Sequence, residues 1–232
     1  MNFKEELLNL NIELTNEMDE AFSKYYTRLV EVNEYMNLTA ITERDEVYNK
    51  HFLDSLFITK ALDNKGKFTL CDVGSGAGFP SIPLAIVNKD CDVTIIDALN
   101  KRIKFLNELI DHLGLDNAKA YHKRAEEFAK EKREDFDVVT ARAVARLNVL
   151  AELCLPLVKL GGKFIAMKGS TGLDELSEAK KAIETLGGKV VKTLELDLPD
   201  EAGKRDIIII EKVKPTPAKY PRAFAKIKER PL

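Results

Sequence analysis

The chain has 232 residues, 45% of them hydrophobic and 32% charged, enough for one full α/β domain with an appendage. No apolar run approaches the roughly 20 residues that span a bilayer, and the acidic start MNFKEELLNLN lacks the apolar stretch of a signal peptide, so a cytosolic protein without membrane association is expected. The net charge of −2 announces no nucleic-acid partner in bulk, yet seven Lys/Arg against one Glu from Lys212 to Leu232 leave the rest of the chain at −8. A basic tail on an acidic body reads either as a local phosphate contact or as a solvated terminus.

Apolar residues at 7, 10, 14, 18, 22, 25, 29, 32 and 36 step by three or four, an amphipathic helical pattern with a break expected near Asn16 to Asp19. Asn37-Leu38-Thr39-Ala40-Ile41 interrupts it. Thr42, with Asp45 three residues on, then predicts an N-cap before a helix reaching about Leu62. Residues 1–65 therefore read as a helical appendage, with a hinge over Asp63–Lys67, and residues 66–232 as the second domain. From there strands predicted over 69–73, 92–96, 117–121, 136–140, 162–167, 189–196 and 206–212 alternate with helices near 81–88, 100–113, 124–131, 144–159 and 173–187. Short apolar runs separated by helices argue for a doubly wound, mostly parallel α/β sheet. The linker DLPDEAGKR is too short for a helix, so the last two strands form an antiparallel pair at the sheet edge.

Cys71, Cys91 and Cys154 sit in apolar surroundings and read as small buried hydrophobes. They share no metal-ligand spacing with His51, His112 and His122, and no structural metal is expected.

The first strand ends in Asp72-Val73-Gly74-Ser75-Gly76-Ala77-Gly78-Phe79-Pro80. Glycines let the backbone turn tightly and approach a ligand that a Cβ would exclude, and the following helix offers free amides. A dinucleotide fingerprint would require glycine at 79, where Phe79 stands. Asp97 ends the second strand, 23 residues past Gly74, where a carboxylate can accept ribose hydroxyls. This G-x-G-x-G turn with an acid one strand later resembles class I methyltransferases, whose fold implies an S-adenosylmethionine site with adenine near Ala125-Glu126. At the fourth strand's carboxyl end stand Thr140-Ala141-Arg142-Ala143-Val144-Ala145-Arg146. No Asn/Asp-Pro-Pro-aromatic motif for amino-group methylation occurs there, and Cys154 lies too far along for pyrimidine C5 chemistry. Arginines remain, which suit phosphate, carboxylate or base-edge contacts. An acceptor that is already nucleophilic, such as guanine N7, needs only positioning.

Several segments together resemble one family: Asn37–Ile41, the His51-Phe52-Leu53-Asp54-Ser55-Leu56 run, Asp72–Pro80, Ala141–Ala145, Lys168-Gly169, and Thr216-Pro217 before Tyr220-Pro221-Arg222. They are similar to the RsmG (GidB) family, bacterial methyltransferases acting on guanine N7 in 16S ribosomal RNA. The resemblance covers about residues 20 to 232. It implies S-adenosylmethionine as cofactor, held by Gly74, Ser75, Gly76, Gly78, Phe79, Asp97, Ala125, Glu126 and Arg142. It also implies RNA-side or pocket roles for Asn37, His51, Asp54, Lys168, Arg205 and Arg222, with Arg142 and Lys168 positioning the base. The expected partner is 16S ribosomal RNA or the small ribosomal subunit, bound by a monomer. The tail departs from the family pattern YPR-x-x-G-x-P, reading YPRAFAKIKERPL. Tyr220, Phe224 and the tail cations suit stacking plus phosphate contact. A small-molecule methyltransferase with a helical lid, a nicotinamide-dependent oxidoreductase and a non-catalytic RNA-binding module stay open as alternatives.

Overall fold

A computed structural model describes residues 1–63, 66–142 and 144–232. The hinge expected over Asp63–Lys67 falls partly outside those residues, as does Ala143.

Helix α1 (Phe3–Asn9) is followed by α2 (Asn16–Met36), and the break between them lies over residues 10–15, earlier than the periodicity placed it. The reason is a cap: the Thr15 hydroxyl accepts from the Met18 amide at 3.2 Å, satisfying a donor that the first helical turn leaves unpaired. α2 ends on Asn37, whose φ of 51° is the left-handed stop that asparagine tolerates. Thr42 is not a cap. Its carbonyl accepts from the Tyr26 hydroxyl at 3.1 Å, and α3 (Arg44–Val47) starts after Glu43 with no side-chain cap. The helix then widens into a π-helical turn, Tyr48–Leu53, before α4 (Asp54–Leu56) and a 3₁₀ turn, Phe57–Ala61.

The alternating region follows as β1 (Phe68–Val73), α5 (Ser81–Val87), β2 (Cys91–Asp97), α6 (Asn100–Leu113), β3 (Ala118–His122), α7 (Ala125–Glu131) and β4 (Phe136–Arg142). Next come α8 (Leu147–Cys154), β5 (Val158–Gly169), α9 (Gly172–Thr185), β6 (Gly188–Leu198), β7 (Gly203–Lys212) and α10 (Phe224–Glu229). The helix read over 144–159 is shorter than expected. Pro156 cannot continue a helical hydrogen-bond ladder, so a 3₁₀ turn intervenes and Val158 already pairs with Phe136.

Seven strands form one sheet in the order β3-β2-β1-β4-β5-β7-β6. Strand β7 runs antiparallel to both β5 and β6, and the other pairs are parallel. The final pair is antiparallel at the edge, as its short linker requires, with β6 outermost. Strand order reverses between β1 and β4, which opens a crevice at their carboxyl ends.

Successive strand residues face opposite sides, and β7 shows the consequence: Ile207 and Ile209 join one buried cluster, Ile208 and Ile210 the other. The first cluster contains Phe22, Tyr25, Leu29 and Phe52 from the N-terminal helices together with Leu84, Phe105 and Leu109 from α5 and α6. The second holds residues of α7, α8 and α9, and also Tyr220 and Ile227 from the tail. All three cysteines are buried and free. Among the described residues no helix is long and apolar enough to cross a membrane.

Candidate active site at the carboxyl end of the sheet

The turn after β1 is held at both ends. The Gly74 amide donates to Ile96 O at 2.8 Å, and the Gly78 and Phe79 amides both reach Ser75 O at 3.0 Å. Gly76 and Gly78 play different parts. A Cβ on Gly76, at φ 62°, would meet nothing within 4 Å, whereas one on Gly78, at φ 109°, would stand 2.7 Å from both Ile82 and the Tyr25 hydroxyl. Gly76 is therefore open to a ligand, and Gly78 is there for packing. Tyr25 reaches over from α2 to donate to Ala77 O at 2.7 Å and stacks on Phe79 at 5.5 Å, so the N-terminal helices brace the turn.

A cavity of about 480 Å³ lies against this turn, bounded also by Thr39, His51, Asp97, Leu99, Arg102 and Arg142. A smaller, mainly apolar chamber of about 140 Å³ shares Gly74, Asp97, Ala98 and Val144 with it. That chamber is walled by Val73, Ile96, Ala125, Glu126, Leu153 and Phe224. A flat heterocycle suits the chamber and a polar chain suits the larger space.

Asp97 is buried between them. Its Oδ1 accepts from the Leu99 amide at 2.8 Å, and Oδ2 lies 3.3 Å from Arg102, so a ligand diol must share or displace the Arg102 contact. Asp72 is fully buried and both its oxygens lack a hydrogen-bond partner, as does the buried Ser75 hydroxyl. Burial pushes the Asp72 carboxyl up to about 7. The nearby Ser81 hydroxyl and amide and the Arg142 charge favour the ionised form, yet neither Ser81 group reaches hydrogen-bonding geometry with the carboxylate. An orphaned buried carboxylate is a costly arrangement unless a cation completes it.

The opposite wall is a network. His51 stacks on Phe79 at 4.5 Å and 17°. Arg142 lies over the same ring at 5.0 Å, donates to Asp54 Oδ2 at 2.7 Å and reaches His51 Nδ1 at 3.1 Å. Asp54 also takes Arg205 Nε on Oδ1 at 2.9 Å. His51 is pushed down to about 4, by burial first and then by the Arg142 charge, so the imidazole is neutral. Burial lowers the Arg142 guanidinium too, and Asp54 opposes that. His51 stands in the π-helical turn and Asp54 begins α4 three residues on, so one face presents both to the same guanidinium.

The residues read from sequence divide accordingly. Gly74, Ser75, Gly76, Phe79, Asp97, Arg142 and His51 border the larger cavity, and Ala125 and Glu126 the chamber. Asp54 and Arg205 form an ion pair behind Arg142, with Asp54 only 4% exposed. Lys168 turns inward: its ammonium reaches Ala145 O at 2.7 Å and Glu175 at 2.8 Å, and Glu175 also accepts from the Leu147 amide. It fastens the loop after β4 rather than facing solvent. Arg222 makes a bidentate pair with Glu152, which is fully buried, and Asn37 is exposed at the end of α2, next to Leu38 in the cavity wall. Thr39, Asp72 and Arg102 received no role from sequence. Asp72 did carry a signal, an acid inside an apolar strand at the edge of a glycine turn. Phe224, read as suited to RNA stacking, borders the chamber.

Known proteins resemble this chain at the level of family and of fold. The model of the family described as rRNA small subunit methyltransferase G matches residues 18–205. A Ribosomal RNA small subunit methyltransferase G from Staphylococcus saprophyticus is 53% identical over 229 residues, covering 98% of this chain and 96% of that protein. Its counterpart from Lactobacillus johnsonii is 50% identical, covering 99% and 98%. Among solved structures, a SAM-dependent methyltransferase from Aquifex aeolicus superposes with a TM-score of 0.54 at 17% identity, over 72% of this chain and 93% of the other, which is likeness of fold: the class I, Rossmann-like methyltransferase architecture. With the family model covering most of its length and half its residues shared with such relatives, this chain belongs to the rRNA small subunit methyltransferase G family.

Proposed function

We propose that the protein transfers the methyl group of S-adenosylmethionine to N7 of a guanine in small-subunit (16S) ribosomal RNA, acting in the cytoplasm. The family and the names of its relatives support the class of reaction. The observation that carries the choice of atom is that the polar groups of the His51 wall are already engaged: His51 is neutral with Nδ1 engaged by Arg142, and Asp54 is taken by two guanidiniums. Guanine N7 carries a lone pair and no proton, so its methylation needs alignment and no proton acceptor.

Three features would hold the cofactor. The apolar chamber at Ala125, Glu126 and Phe224 suits the adenine, Asp97 the ribose hydroxyls, and Asp72 with Ser75 the ammonium of the methionine part. When bound, the cofactor supplies an electrophilic sulfonium methyl. Phe79, His51 and Arg142 form a flat cationic wall on which a base can stack, and Arg142 offsets negative charge on the approaching RNA. Lys168 and Arg205 act behind that wall, the first on the β4–α8 loop and the second through Asp54. Mapping 7-methylguanosine in small-subunit RNA incubated with the protein and S-adenosylmethionine tests the proposal. Methyl incorporation elsewhere, or none, would refute it.

A further inference from the structure

The hydrogen positions around His51 can be deduced. A guanidinium carries donors only, so Arg142 Nη2, 3.1 Å from His51 Nδ1, must donate and Nδ1 must be bare. A neutral imidazole then bears its hydrogen on Nε2, which lies 2.7 Å from Thr39 Oγ1. The Ile41 amide donates to the same oxygen at 3.0 Å. A hydroxyl oxygen has two lone pairs, and both are now taken. What remains is the hydroxyl hydrogen, for which no acceptor occurs among the described residues, on a side chain that borders the 480 Å³ cavity.

Ordinarily a threonine hydroxyl reads donors and acceptors alike, because it rotates. This one cannot accept. From that geometry we infer that Thr39 is a specificity-determining residue, a hydroxyl fixed as a donor that reads the O6 oxygen of the base being methylated and so admits guanine and refuses adenine. Guanine presents N7 and O6 side by side as two acceptors, whereas adenine puts an amino donor next to N7. A donor-only hydroxyl beside the methyl-accepting nitrogen pairs with the first and opposes the second. The Arg142–His51–Thr39 chain is what fixes the polarity, so Asp54, by orienting Arg142, is a positioning residue for the same discrimination.

This inference rests on the guanine-N7 reading, and the test separates the two. The acceptor nucleotide in a small-subunit RNA fragment is replaced by 2-aminopurine, which keeps N7 and lacks O6, and kcat/KM is compared with guanine for wild type, Thr39→Val and Thr39→Ser. Wild type should prefer guanine by about ten- to hundredfold, the range for a well-made base-edge contact. In Thr39→Val that ratio should collapse toward one, while Thr39→Ser restores it. Each ratio is taken within one enzyme, so a general loss of activity or a shift of His51 cancels. A wild-type ratio of one, or a Thr39→Val ratio equal to that of wild type, would overturn the role of Thr39. Failure of wild type to methylate the guanine at all would overturn the underlying reading and this inference with it.

Discussion

Replacing Asp72 by asparagine should make the cofactor-free protein more stable and a poorer binder. Asp72 is buried with no hydrogen bond to either oxygen, and burial carries its carboxyl from the ordinary 3.8 to about 7. Because the folded value lies above the unfolded one, the unfavourable part is absent below about pH 4. It grows as pH rises and is complete above about 7. At 1.36 kcal/mol for each tenfold step, the charged carboxylate costs up to about 4 kcal/mol at pH 8. Asparagine copies the protonated shape without the charge, so Asp72→Asn should regain up to that amount. For a chain of this size each kcal/mol moves Tm by about 2–4 °C. Thermal unfolding at pH 8 and at pH 4, without ligand, reads the difference, which should be large at the first and near zero at the second. In the same variant S-adenosylhomocysteine should bind about 1.5–3 kcal/mol more weakly, the worth of a charge-assisted contact to its ammonium. 5′-Methylthioadenosine, which lacks the amino-acid part, should bind both proteins alike. A Tm at pH 8 equal to or below that of wild type would refute the reasoning, as would equal weakening of the two ligands.

Other perturbations test other parts of the fold. Arg222→Ala strands the buried Glu152 carboxylate and should cost about 3–5 kcal/mol of stability by denaturant titration, the price of breaking a buried pair. Lys226→Ala with Lys228→Ala, both exposed, should leave stability alone and lower the slope of log affinity for RNA against log salt by up to about 0.7–0.9 per lost phosphate contact. Because His51 is held near 4, below its ordinary 6.5, the rate should show no histidine inflection between pH 6 and 8. Its contribution to stability should decline as pH falls from about 6.5 toward 4, and His51→Gln should remove that part of the slope in acid unfolding. Gly78→Ala places a Cβ 2.7 Å from Ile82 and should lower Tm, whereas Gly76→Val should spare the core and fail in calorimetric binding of the cofactor.

How the tail behaves illustrates why charge read along a sequence misleads. Of its cations, Lys212 is fully buried on Leu155 O and Glu134, and Arg222 is paired with Glu152. Arg133 clamps the carbonyls of Thr216, Pro217 and Tyr220. Only the exposed remainder, Lys214, Lys219, Lys226, Lys228 and Arg230, is free to meet phosphate.

Local chemistry alone determined the sheet and its helices, since period-two and period-3.6 patterns are written in consecutive residues, and so are the glycines that turn after β1 and the proline that ends α8. The acid at Asp97 was legible for the same reason: its distance from the turn is a count along the chain. What the sequence could not decide is which polar groups meet. Asp54 and Arg205 are 151 positions apart, Arg222 and Glu152 are 70 apart, and nothing near either residue names its partner. Lys168 and Arg222, read as RNA-side or pocket residues, also fasten the fold, because folding brought carboxylates and a carbonyl within reach of them. Thr39 and Asp72 work the other way. One is left with an unclaimed hydrogen and the other with unclaimed oxygens only after the chain has folded around them.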